Sequence, residues 1–179
     1  MTKIKHIVPT IMSIGLLTSA GAADFIKNKY YMGGGLAVEG GWYKYGVGAA
    51  LLINGGKPII KLGPGTIGAE VEMSYTALAA SYDHRGYESD LRVLSLGIFA
   101  TYKYDINKDL YVRPRLGPMF TSYSYSGYSD YYYDYSRGRV ATGVGVGYNL
   151  GKNMNLFSDF TIASNSYRRI SVGLQFKFK

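Results

Sequence analysis

The stretch Leu94-Ser95-Leu96-Gly97-Ile98-Phe99-Ala100-Thr101-Tyr102-Lys103-Tyr104 carries the clearest structural signal in the chain. Leu94, Leu96, Ile98, Ala100, Tyr102 and Tyr104 occupy every second position, and Ser95, Gly97, Phe99, Thr101 and Lys103 fill the other register. Successive side chains of an extended strand point to opposite faces, so this period of two builds a strand with one face apolar throughout. The end of the chain repeats the scheme, with Ile170, Val172, Leu174, Phe176 and Phe178 alternating with Arg169, Ser171, Gly173, Gln175 and Lys177. Both runs have about the 9–11 residues with which a tilted strand crosses a bilayer.

On either side of these runs, the same alternation marks Tyr30 to Val38, Tyr43 to Ile53, Ile67 to Ala79, Leu110 to Tyr125, Arg139 to Leu150 and Met154 to Ala163. Together they predict an all-β fold, an eight-stranded antiparallel up-and-down transmembrane β-barrel. Asp105 to Asp109 and Gly151 to Asn153 read as short turns, whereas Ser81 to Asp90 and Ser126 to Arg137 are longer and polar. Short turns on one side and long loops on the other suit an outer-membrane barrel, and an even strand count leaves both ends of the barrel on the periplasmic side. Asn54 to Gly65 is long for a turn, so Ile59, Ile60 and Leu62 are expected either to extend a strand or to lie along the membrane interface. Pro114 and Pro118 cannot donate to a ladder, which predicts a bulge or a missing bond near one of them.

Composition narrows the field further. The chain has 179 residues, 24 Gly, 19 Tyr and no Cys, which disfavours helices and excludes disulfide scaffolds, thiolate metal sites and Cys nucleophiles. The formal charge of +8 has no dense Lys/Arg run behind it, so nucleic-acid binding is not expected. Lys3, Lys5 and His6 precede an apolar run from Ile7 to Leu17 and the small residues Ala20-Gly21-Ala22. That order reads as a secretory signal peptide over 1–22, with the barrel domain over 23–179. Removing Lys3 and Lys5 leaves 18 basic and 12 acidic residues, a mature charge of +6.

Eight alternating strands, the cleavage-site pattern and the terminal run Ile170 to Phe178 resemble the small outer-membrane β-barrel domains of Gram-negative bacteria, the OmpA-like and OmpX-like group, without a peptidoglycan-binding domain. Tyr111-Val112-Arg113 to Gly117 and Gly68-Ala69-Glu70-Val71-Glu72 are similar to lumen-facing strand segments of that family. The resemblance implies that Phe176 and Phe178 act as the assembly signal read by the barrel-assembly machinery, with Lys179 as a one-residue overhang. It also implies outer-membrane lipid and lipopolysaccharide as surroundings.

Four groups of residues are candidates for function. Alternation directs Glu70, Glu72, Lys103, Arg113, Arg115 and Asp159 into a lumen that eight strands leave only wide enough for side chains, so a salt-bridged plug is expected in preference to a pore or a paired-carboxylate catalyst. Inward glycines, among them Gly143, Gly145 and Gly147, would make room for it. Arg85, Arg92, Arg137, Arg139, Arg168 and Arg169 fall in or beside the predicted outer loops, and guanidinium suits phosphate, so they are candidate lipopolysaccharide contacts. Seven tyrosines crowd Tyr123 to Tyr135, and Tyr128, Tyr131, Tyr132, Tyr133 and Tyr135 are candidates for recognition of a host or surface ligand, set against an interfacial aromatic belt.

The leading reading is a monomeric envelope protein with a structural role and adhesion through the Tyr-rich loop. The alternatives are a small ion or solute channel, a lipid A-modifying enzyme and a soluble lipocalin-like barrel. Catalysis is not expected, because Ser164 has no neighbouring His in sequence and His84 lies in another loop. Neither a metal nor a cofactor is expected.

Overall fold

The computed structural model describes residues 29–40, 47–84, 87–127, 135–164 and 167–178. The predicted signal peptide, Arg85, Tyr128, Tyr131, Tyr132 and Tyr133 lie outside the described residues. Nine strand segments run in order: β1 Tyr30–Gly40, β2 Val47–Leu62, β3 Gly65–Leu78, β4 Ala80–His84, β5 Tyr87–Asp105, β6 Leu110–Gly127, β7 Tyr135–Asn149, β8 Met154–Ser164 and β9 Tyr167–Phe178. Each pairs antiparallel with its neighbours, β1 pairs with β9, and β3 and β4 both pair with β5. β3 and β4 are therefore two halves of one strand interrupted at Ala79, and the sheet closes as an eight-stranded barrel.

The size of the barrel follows from its register. From Gly34 the pairs lead one way through Leu174, Leu156 and Tyr148 to Leu110, and the other way through Ile53, Met73 and Leu96 to Phe120. The two routes meet on β6 ten residues apart (120 − 110). With about 3.3 Å per residue along a strand and about 4.8 Å between strands, that stagger tilts the strands by roughly 40°. Alternation then assigns every strand an inside and an outside. Leu36, Val140 and Ile170 are 64, 72 and 58% exposed on an outer face shared with Val38, Leu51, Ile53 and Val172. An apolar surface of that extent calls for hydrocarbon around it rather than water.

The short turns form as predicted. Asn107 Oδ1 accepts from the Asp109 and Leu110 amides at 2.9 and 2.8 Å, and the Leu150 amide donates to the Met154 carbonyl at 2.9 Å. The segment 54–65 extends the strands: β2 runs on to Leu62, Leu62 pairs with Gly65, and Gly63 turns the chain with φ of 56°. A register shift between Pro58 and Ile60 accommodates the extra length. The two prolines interrupt the ladder without a bulge. Pairing with β5 passes from Gly97↔Met119 to Ala100↔Leu116, and from Thr101↔Arg115 to Tyr104↔Val112, skipping positions 114 and 118 while pairing with β7 continues. Both outer segments expected as loops are partly strand. Ala80 to His84 pair with Leu91 to Tyr87, and β7 begins at Tyr135.

Candidate functional site

The lumen holds one connected set of buried polar groups. Arg113 on β6 donates to Glu70 on β3 at 2.5 Å and to both oxygens of Asp159 on β8 at 3.1 and 3.0 Å. Two residues further along β6, on the same face, Arg115 Nη1 donates to Glu70 at 3.0 Å and Glu72 at 2.7 Å, with Asp159 at 3.6 Å. Its Nη2 donates to Thr161, and its guanidinium lies 4.7 Å from the centre of the Phe99 ring. Glu70, Glu72, Asp159, Arg113 and Arg115 are each at most 3% exposed. Five of the six residues expected in the lumen thus join one ion-pair set.

The local reason is strand alternation opposite glycine. Arg115, Tyr111 and Asp159 lie against β7, where Gly143, Gly145 and Gly147 face inward. A Cβ on Gly145 would run into the Asp159 carboxylate and one on Gly147 into the Tyr111 ring, while one on Gly143 would strike the Phe160 carbonyl at 2.5 Å and stand 3.1 Å from Arg115 Nε. Gly145 and Gly147 make room for inward side chains, and Gly143 makes room first for the backbone of β8.

Two assignments are corrected. Arg169, read as a rim arginine for lipopolysaccharide, is 1% exposed inside the barrel, where it pairs with Glu72 and donates to Ser74 and Ser95 at 2.9 and 3.2 Å. Its odd-numbered place beside Ser171, Gly173 and Gln175 faces the lumen, and this parity outweighs its nearness to a loop. Lys103 does face inward, but it stands too near the turn to reach the buried acids. It pairs instead with Asp105 at 2.6 Å, with the two side chains 31 and 45% exposed, and lies 4.4 Å from the centre of the Tyr111 ring.

Glu39 and Tyr31 join the network unforeseen. Glu39 is buried and accepts from Thr76 at 2.5 Å, from Tyr167 at 2.6 Å and from Ser74 at 3.4 Å. The Tyr31 hydroxyl donates to Glu70 at 2.8 Å. Alternation from Gly33 through Gly35 and Ala37 points at Glu39, but a strand ended at Val38 stops one residue short of it. Toward the long-loop end Leu91, Val93, Met119, Tyr123, Ala163 and Tyr167 form a buried apolar cluster on the inward register.

Of the remaining candidates, Arg92, Arg137 and Arg139 are exposed, while Arg168 is half-buried on the outward register of β9. Tyr135 opens β7, and nothing of its side chain is described. Phe176 and Phe178 are exposed on the outer face and pair with Met32 and Tyr30. Glu70, Glu72 and Asp159 bring carboxylate oxygens within 4.8 Å of one another, a spacing that could suit a cation. Each of these acids already accepts from a guanidinium, and the cluster reads as half of an ion-pair lattice.

No family model and no curated protein matches the chain. Solved structures do. Ail, the attachment invasion locus protein of Yersinia pestis, superposes with a TM-score of 0.60 at 11% identity, over 86% of this chain and 100% of that one. The outer membrane protein OprG from Pseudomonas aeruginosa gives 0.60 at 12% identity, over 84% and 96% of the two chains. Neisserial surface protein A gives 0.52 at 17% identity, over 85% and 100%. Likeness at such low identity speaks for architecture, and the chain has the fold of the small eight-stranded outer-membrane barrels.

Proposed function

We propose that this protein is a monomeric surface protein of the Gram-negative outer membrane whose rigid, filled barrel holds outer loops against the exterior, in an envelope-supporting role with recognition through the Tyr-rich loop. The observation that carries the proposal is the lumen: three arginines and four acids, all buried, link strands across its section beneath an apolar layer. Such packing favours a scaffold over a conduit, because every ion in it is neutralised by a partner or hydrogen-bonded. It equally disfavours acid/base chemistry, since guanidinium partners stabilise the ionised carboxylates, and the protein is proposed not to be an enzyme. Ail is by name an attachment and invasion protein, which accords with a role for the loops here.

The surroundings of the barrel belong to the same proposal. Arg92, Arg137, Arg139 and Arg168, with Arg85, are the arginines proposed to meet lipopolysaccharide phosphates. Phe176 and Phe178 are proposed to present the terminal strand to the assembly machinery. The recognition role is tested by whole-cell binding to candidate surfaces, comparing the intact protein with a variant lacking residues 126–136 at equal surface level. Loss of binding with the barrel still inserted supports recognition through Tyr128 to Tyr135; equal binding by both overturns it.

A further inference from the structure

Below the ion-pair layer the lumen opens into a cavity of about 690 Å³ at the end of the barrel where the short turns and the terminal strand ends lie. Lys29, Lys57, Lys61, Lys103, Lys152 and Lys177 line it, Arg113 forms part of its inner end, and among the described residues no acidic one lines it. Lys103 pairs with Asp105 at the mouth, and Arg113 pairs with Glu70 and Asp159 at the inner end. Lys177 Nζ donates to a neutral amide, Asn149 Oδ1, at 3.1 Å, and Lys57 lies 5.1 Å from the centre of the Tyr30 ring. Positive charge gathered in a concave, low-dielectric mouth reinforces itself and attracts anions.

A second observation is independent of the lysines. Gln175, 1% exposed, and Arg113, 3% exposed, both line the cavity, and the Gln175 Nε2 and Arg113 Nε donors have no hydrogen-bond partner. Both atoms are enclosed, as are the Asn54 and Asn155 side-chain carbonyl oxygens, so they belong to a polar floor beneath the cavity. Tyr31 and Tyr111 add aromatic walls. The volume falls within the range of small-molecule sites, roughly 300–1,000 Å³.

From these features we infer that this vestibule is a binding site for a phosphate-bearing ligand, seated over the floor that Gln175 and Arg113 form, with the lysines neutralising its charge. A free phosphate compound and a phospholipid headgroup share this chemistry. The site is independent of the proposed surface role, since it lies at the opposite end of the barrel.

The test is calorimetric titration of inorganic pyrophosphate into the full protein in dodecyl maltoside micelles, which carry no phosphate, together with the NMR resonances of the Gln175 side-chain amide. The expected result is one saturable site, a shifted Gln175 amide, and binding weakened about tenfold or more in the Lys103→Gln/Lys177→Gln double variant. Lys108→Gln, which removes a charge from the exposed turn outside the cavity, should leave binding unchanged. Retention of the folded β-spectrum in each variant separates lost binding from lost structure. Absence of saturable binding, an unshifted Gln175 amide, or an equal loss with Lys108→Gln would each overturn the inference. Repeating the titration with added phosphatidylglycerol identifies the source: competition and a Gln175 shift from the lipid alone assign the site to headgroups, and neither effect assigns it to free phosphate compounds.

Discussion

Arg115 shows how little freedom a single lumen residue has. One of its nitrogens serves Glu70 and Glu72, the other Thr161, and Phe99 lies against its guanidinium. Arg115→Leu would leave two buried carboxylates facing each other with a partner removed, a loss expected to cost about 3–5 kcal/mol and to appear as a lower urea midpoint for unfolding from micelles. Lys103→Gln, which breaks a pair open to solvent, should cost under about 1 kcal/mol in the same assay. Gly145→Ala should lower the midpoint by the equivalent of about 1–3 kcal/mol through collision with Asp159, whereas Gly151→Ala, whose added carbon meets nothing, should leave it unchanged. Single residues are legible in the sequence as far as parity reaches. Glu70, Glu72, Arg113, Arg115 and Asp159 all face inward as alternation requires, but depth along the barrel is not written in parity. Lys103 and Arg169 mark that limit: one sits too near the mouth for the network, and the other sits deep despite neighbouring a loop.

Among the elements, the hairpin of β2 and β3 is where residue chemistry most plainly sets the chain path. Leu62 and Gly65 pair across a two-residue turn, and only Gly63 takes a left-handed backbone there. A β-branched residue pays heavily in that region, so Gly63→Val should destabilise the turn by about 1–2 kcal/mol while the barrel still inserts. Hydrogen exchange checks this: amides of 60–67 should exchange faster in the variant, and those of the ion-pair strands should not. The twelve residues 54–65 conceal this hairpin in the sequence because Gly55, Gly56, Pro58 and Gly63 carry turn signals in two places, and only pairing with both neighbours reveals which is the turn. The prolines of β6 are legible as an interruption. Four residues apart, they present their missing donors to the same neighbour, and that neighbour is β5.

For the whole molecule, closure converts eight locally readable strands into something none of them specifies alone. The ten-residue stagger arises only when β3 meets β5, and it sets which inward side chains stand at the same depth. Partners such as Arg113 with Asp159, 46 positions apart, or Tyr167 with Glu39, 128 apart, follow from that stagger and lie beyond any reading made strand by strand. What emerges is a layered interior: apolar groups toward the long loops, an ion-pair lattice in the middle, and a lysine-lined vestibule toward the short turns. On the proposed reading the middle and upper layers seal the barrel against ions. Single-channel recording of the purified protein in planar bilayers puts that seal to the proof. A sealed barrel gives a baseline without discrete current steps at moderate voltage in the wild-type protein; regular, reproducible steps from the wild type would contradict it.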